Sequence, residues 1–340
     1  MKIRQLLLAI ILLAVVNTSR AADSTPSSST VLGIHGEEFT LNGKSTFLLG
    51  FSYYGALGAN DAAVRRDLDD AQRLGFNWLR VWATWNAFDY DISAVGTEGA
   101  PREPFLGKLK WLVAECAPRG LVVDVTLTRG ETLRDFAAHQ PAVETLVKAL
   151  KTHRNWFLDL ANEHDVHDAR FVSDAELKRL RDLVRRLDPP RLVTASFGGH
   201  DLTTNDVRAS LLTIGLDFLT PHRPRTAQSP RETEARTLAL RAAMHEVGCA
   251  APILYQEPFR RGYSGWKPRT EDFLNDLHGA IAGGAAGWCF HNGQQGDAGD
   301  KQPRRSFDLR NRRLFDQLDD VEWQVVQQAV TELKSRREAR

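Results

Sequence analysis

The chain has 340 residues, 42% of them hydrophobic and 26% charged, with 44 Lys and Arg against 43 Asp and Glu. Such a balance offers no electrostatic footprint for nucleic acid or an anionic membrane, and the hydrophobic share is that of a folded globular protein. The length suits two modest domains or one large α/β barrel.

At the N-terminus, Lys2 and Arg4 precede an apolar run of 11 residues, Leu6 to Val16, followed by polar residues to Arg20 and then Ala21 and Ala22. A basic start, a short apolar core and a small-residue site read as a secretory signal peptide. As a helix the run measures about 16 Å, too short for a hydrocarbon core of about 30 Å. Ser19 and Ala21 suit a cleavage site, so residues 1–21 are assigned to the signal, with cleavage after Ala22 as the alternative. The expectation is a secreted or periplasmic protein, slightly acidic once processed, with no stable membrane association. Residues 22–32, with the Ser/Thr/Pro-rich "DSTPSSST", read as a flexible tether. No second linker follows, so 33–340 is taken as one domain. Cys116, Cys249 and Cys289 are odd in number and widely spaced, which excludes a disulfide framework; their apolar surroundings favour buried free thiols.

The next element, "EFTLNGKSTF", reads as a hairpin turning at Asn42-Gly43, placed to close the bottom of a barrel. Short apolar, β-branched runs then alternate with segments of helical periodicity. Strands are expected at 46–52, 77–83, 121–127, 156–162, 191–197, 216–220, 252–257 and 286–290. Helices are expected near 61–74, 104–118, 140–151, 173–187, 204–212, 229–247, 270–282 and 319–336. Asn60 is a cap for the first helix and Gly75 its stop, while Ser173 and Glu176 form a capping box. Eight strand–helix units fit a (β/α)8 TIM barrel, usually about 250 residues plus insertions. A doubly wound sheet is the competing arrangement, but no G-x-G-x-x-G or P-loop pattern follows an early strand.

In such a barrel the catalytic groups stand where strands end and βα-loops begin. Those positions hold Ser52, Tyr53 and Tyr54; Arg80, Trp82 and Trp85; Asp124, Thr126 and Arg129; Asn162 and Glu163; Ser196; His222; Glu257; Trp288 and His291. Two glutamates among aromatics, an arginine and histidines form an inventory for cleaving sugars. A retaining glycosidase sets two carboxyls about 5–5.5 Å apart, one as nucleophile and one as acid then base. An Arg keeps the nucleophile ionised, and flat aromatic faces cover the apolar faces of sugar rings.

The chain resembles the clan A glycoside hydrolases, and most closely the cellulase-like family 5, as a divergent member. The resemblance covers most of residues 36–292 and is carried by "FTLNGKSTFLLGFSYY", "LGFNWLRVW", "RGLVVDVTL", "LDLANEHD", "PILYQEP" and "GWCFHNG". It implies a retaining β-glycoside hydrolase acting on an oligo- or polysaccharide, with Glu163 as acid/base and Glu257 as nucleophile. It further implies that Asn162 binds the 2-hydroxyl of the cleaved sugar, that Arg80 supports Glu257, that His222 neighbours the catalytic pair and that Trp288 is a sugar platform. Tyr53 and Trp85 are added as substrate-binding candidates. Two departures stand out. The family often has a Tyr two residues after the His222 position, bonding the nucleophile, where this chain has Pro224. It commonly has a His where this chain has Thr126.

Two rival readings remain. His164, Asp165, His167 and Asp168 invite a metal-dependent hydrolase, but metal ligands on a barrel usually come from several strands, and the other strand ends here offer Arg, Thr and Trp. The expectation is therefore no metal and no cofactor, with His164 to Asp168 as a polar rim. A catalytically silent carbohydrate-binding barrel is the other rival, allowed by the two departures and opposed by the two retained glutamates. The basic stretches "RPRTAQSPRE" and "RRGYSGWKPR" raise the thought of an acidic glycan, although solvated loop charges are the plainer expectation.

Overall fold

The computed structural model of the chain describes residues 29–261, 266–293 and 306–337. The signal assignment and most of the tether lie outside the described residues. Within the tether range, Thr30 is already buried and donates to the Ala117 carbonyl at 2.6 Å, so the packed structure begins inside the stretch 22–32.

The described chain opens with an antiparallel meander, Leu32–His35, Glu38–Leu41 and Lys44–Ser45. Its second turn sits on Asn42 and Gly43, as expected. Both have positive φ, 52° and 77°, which asparagine tolerates and glycine adopts freely, as a two-residue primed turn requires.

Eight parallel strands follow: β1 Leu48–Ser52, β2 Trp78–Trp82, β3 Val122–Thr126, β4 Trp156–Asp159, β5 in two pieces (Val193–Thr194 and Ser196–Phe197), β6 Thr220–Pro221, β7 Leu254–Tyr255 and β8 Gly287–Phe290. One sheet runs β5–β4–β3–β2–β1–β8–β7. The second piece of β5 pairs with β6, and Leu219 bridges in parallel to Ile253, so the ring closes in chain order. This is the (β/α)8 barrel; the doubly wound alternative fails because β1 lies between β2 and β8.

The helices are α1 Asp61–Arg73, α2 Phe105–Cys116, α3 Phe136–Leu150, α4 Asp174–Leu187, α5 Thr204–Val207, α6 Ser229–Glu246, α7 Thr270–Gly283 and α8 Asp320–Arg337. Asn60 Oδ1 accepts from the Ala62 amide at 3.0 Å, and the Ser173–Glu176 capping box forms. Helix α3 starts earlier than expected because Asp135 caps it, accepting from the Ala138 amide at 3.0 Å, and Pro141 is carried inside the helix. Helix α5 is short and passes into a wider π turn over Arg208–Ile214.

Side chains alternate across each strand, inward to the barrel and outward to the helices. Inward at the N-terminal end, Leu48, Trp78, Val122, Phe157 and Leu254 form an apolar plug with Phe218, and the meander adds Phe39 beneath, edge-on to Phe218 at 5.0 Å. The hairpin thus closes the bottom of the barrel. Gly50 faces this interior, where a Cβ would lie 2.1 Å from the Trp78 ring; only glycine leaves room for that indole. Cys116 and Cys289 are buried and Cys249 is partly exposed, all three as free thiols, so burial holds for two of them. Among the described residues, no helix is long and apolar enough to cross a membrane.

Candidate active site

The C-terminal end of the barrel is ionic where the other end is apolar. Arg80, inward on β2 and fully buried, is its centre. Its Nε lies 3.3 Å from Asp124, its Nη2 donates to Asp159 at 3.2 Å and to Asn162 Oδ1 at 2.9 Å, and its Nη1 donates to Glu257. Three carboxylates from β3, β4 and the end of β7 are therefore oriented by one planar guanidinium, a task for which its fork of donors is suited.

Asp159 also shapes the loop that carries Glu163. It accepts from Ser196 Oγ at 2.9 Å, and Ser196 Oγ accepts from the Glu163 amide at 3.2 Å. Glu163 itself has φ of +49°. A left-handed non-glycine residue costs about 1–3 kcal/mol and persists only where its surroundings hold it. Here the strain turns the chain off β4 so that the carboxylate faces Glu257.

The two glutamates approach closely: one ligating atom each from Glu163, His222 and Glu257 lie within 4.8 Å of one another. His222, fully buried, reaches Glu163 Oε1 with Nδ1 at 3.2 Å and lies 3.8 Å from Glu257. Arg225 Nη2 donates to both, at 3.2 Å to Glu163 and 2.8 Å to Glu257. Arg170 donates to the other oxygen of Glu163 while pairing with Asp168 at 2.7 Å. Tyr54 Oη donates to Glu257 Oε1 at 2.8 Å and lies 3.3 Å from His291 Nε2. Pro224 stands where the family often has a tyrosine after the strand-6 histidine, but a tyrosine hydroxyl reaches Glu257 from the end of β1.

These neighbours set the charges. Burial alone would raise the Glu257 carboxyl, but the neighbouring His222, His291, Arg80 and Arg225 outweigh it and hold Glu257 well below the usual carboxylate range. Burial pushes His291 itself far down; the Glu257 charge favours its protonation, while Arg260, Arg225 and Arg80 oppose it. Glu163 is also lowered: burial and the Glu257 charge raise it, while the His222 hydrogen bond and Arg225 win.

The Glu163–His222–Glu257 group could reach a cation and is the only such group among the described residues. The donor set does not fit one, because Arg225, Arg170 and Arg80 already hold the carboxylate oxygens. The "NEHDVHD" stretch does not converge on a metal either. His164 is buried, bonding the Val172 carbonyl at 3.2 Å and packing on Phe197, and Asp165 accepts from the Gly198 amide at 2.8 Å. They hold the loop in place, so His164 is interior rather than rim.

Of the residues expected at the site, Glu163, Glu257, Arg80, Asn162 and His222 come together. Trp85 joins them in an aromatic wall, with its ring 5.3 Å from Tyr54 and 5.2 Å from Trp82, and with Phe307 stacked on Tyr54 at 4.9 Å. Tyr53 and Trp288 do not join them. Both have the outward parity of their strands: Tyr53 donates to Asp67 on α1 at 2.9 Å, and Trp288 Nε1 donates to Asp276 on α7 at 2.7 Å. Their inward neighbours Tyr54 and His291 hold the corresponding places in the mouth. Arg170, Arg225 and Arg260 were not anticipated; the expectation of solvated loop charge fails for Arg223, Arg225 and Arg260, which are 3%, 9% and 8% exposed.

No protein-family model and no curated protein sequence matches the chain. Solved structures do. A family 5 glycoside hydrolase from Bacteroides vulgatus superposes with a TM-score of 0.65 at 16% identity, over 88% of this chain and 70% of that one. An endo-1,4-β-mannanase from Rhizomucor miehei gives 0.60 at 13% identity, over 89% and 99%. A family 5 mannosidase from the same organism gives 0.62 at 12% identity, over 92% and 99%. The structural neighbours of this chain are thus family 5 glycoside hydrolases, and the fold it shares with them is the (β/α)8 barrel.

Proposed function

We propose that the protein is a retaining β-glycoside hydrolase acting on a β-linked glycan or glycoside, with Glu257 as nucleophile and Glu163 as acid/base. The observation that carries this is the close facing pair at the ends of β4 and β7. One oxygen from each carboxyl lies within 4.8 Å of the other, which favours the carboxyl separation of a retaining pair, about 5–5.5 Å, over the roughly 6.5–9.5 Å by which an inverting pair admits water. Glu163 protonates the glycosidic oxygen as Glu257 attacks the anomeric carbon and the leaving group departs. Glu163 then takes a proton from water, which attacks the same carbon and releases Glu257. Arg80 and Tyr54 keep the nucleophile ionised and aimed. Asn162 has its carbonyl held by Arg80, so its NH2 is the group offered to the sugar 2-hydroxyl.

Glu163→Ala and Glu257→Ala test the roles on aryl β-glycosides. Each should lose roughly 10²–10⁴-fold or more in kcat/KM, with azide giving a β-azide product from Glu163→Ala and an α-azide from Glu257→Ala. Wild-type turnover by Glu257→Ala contradicts the assignment. A silent carbohydrate-binding barrel is favoured by one observation: Arg225 spans both carboxylates and, with Arg170, keeps Glu163 ionised when the acid form is needed. Tight glycan binding with no hydrolysis would select it. Export rests on the N-terminal segment, and N-terminal sequencing of the mature protein tests cleavage after Ala21.

A further inference from the structure

We propose that the sugar ring bound between Glu163 and Glu257 carries a negatively charged group, a carboxylate or a sulfate ester, and that Arg225 binds it with Arg170 at the rim. The inference rests on the glycosidase reading and names its substrate class.

Arg225 lies in the space a sugar must occupy, with one nitrogen on both carboxylates at 3.2 and 2.8 Å, and it is nearly buried. Sugar entry displaces that guanidinium. A neutral ring offers it only uncharged acceptors, whereas a carboxylate or sulfate offers a planar or multi-oxygen anion that matches its donors. Arg170 is the second cation on Glu163, one-third exposed at the entrance and balanced on its other side by Asp168. Arg260 is a further nearby cation, 3.2 Å from His291 and over the Phe307 ring at 5.1 Å. Proximity in sequence does not explain this grouping, because Arg223 turns away to Asp201 at 2.9 Å.

An anionic sugar also resolves a conflict in the acid/base step. Glu163 must hold a proton to assist the leaving group, yet Arg225, Arg170 and His222 favour its ionised form. As Arg225 turns to the substrate anion, Glu163 loses one of these partners and takes a proton from solvent. A neutral sugar also displaces Arg225 but leaves the guanidinium without an anion in place of the carboxylates it gave up.

The test compares 4-methylumbelliferyl β-D-glucuronide and 6-O-sulfo-β-D-glucoside with the plain β-D-glucoside, on the wild type, Arg225→Gln and Arg225→Lys. Calorimetric titration with D-glucuronate, D-glucose 6-sulfate and D-glucose gives a readout independent of turnover. The expected result is at least a tenfold wild-type preference for one charged sugar over glucose, in binding and in kcat/KM. Arg225→Gln should cut that preference at least tenfold, and Arg225→Lys should lose less. The carboxylate and sulfate arms identify which anion is read. Equal or better use of the neutral sugar, or an unchanged preference in Arg225→Gln, overturns the proposal. Selective binding of a charged sugar without hydrolysis upholds it and overturns the glycosidase reading; hydrolysis with a neutral preference does the reverse. Neither binding nor hydrolysis overturns both.

Discussion

The two ends of the barrel are built from the same strands and differ in what those strands point inward. At the bottom, Leu48, Trp78, Val122, Phe157, Leu254 and Phe39 bury apolar surface, and nothing there needs a charge partner. At the top, two positions further along β2 and β3, Arg80 and Asp124 replace Trp78 and Val122 and are equally buried. Burying apolar groups stabilises in proportion to area, whereas burying charges is near neutral at best and costly once a partner is lost. The bottom end therefore stabilises the fold. The top end holds a geometry, including a left-handed Glu163, that stability alone would not select.

Substitutions at the two ends should separate these roles. The largest effect belongs to Arg80→Met, which leaves Asp124, Asp159 and Glu257 facing one another without their shared cation. Breaking a buried ion pair from one side costs about 3–5 kcal/mol, measured by chemical denaturation. Catalysis should change as well. Glu257 is held low in the native protein, so it stays ionised far into acid; without Arg80 its pKa rises and protonation begins at higher pH. The acid limb of kcat/KM should move up by about 1–3 pH units.

Phe39→Ala gives the contrasting result at the bottom. It opens a cavity against Phe218 and should cost roughly 3–5 kcal/mol, while the pH profile of the folded protein stays where it was. A shifted profile would show that the two ends are coupled.

The sharpest small contrast is between adjacent residues. Tyr54→Phe removes a hydrogen bond to a charged carboxylate, worth about 1.5–3 kcal/mol, so kcat/KM should fall about tenfold or more. Tyr53→Phe removes the bond to Asp67 on the helix side and should lower stability by about 1.5–3 kcal/mol with kcat/KM unchanged.

That pair also shows what was legible in the sequence. The apolar, β-branched runs place seven of the eight strands and bring the sixth to within a few residues, since β6 at Thr220–Pro221 shares only Thr220 with the expected 216–220, and caps such as Asn60 and Ser173 place the helix starts. The Asn162-Glu163 and Glu257 strand ends name the facing carboxylates. Strand parity is legible too: Tyr53 continues the outward series of Leu49 and Phe51, and Trp288 precedes the outward Phe290, which leaves Tyr54 and His291 to point inward. The arginines were not legible. Arg223 and Arg225 are two residues apart in one loop, yet one joins Asp201 and the other the two glutamates. No periodicity governs a loop, and its direction is decided by contacts distant in sequence. Helix α3 shows the same limit, since its start, expected near 140, moves to Phe136 because the Asp135 side chain caps the Ala138 amide.

The central claim is that Glu257 attacks the sugar while Glu163 manages the proton. The most direct measurement is mass spectrometry of the protein after reaction with a 2-deoxy-2-fluoro β-glycosyl fluoride of its best-cleaved sugar. The account predicts one added glycosyl group, on the peptide containing Glu257. A label on Glu163, or turnover with inversion and no covalent species, would contradict it.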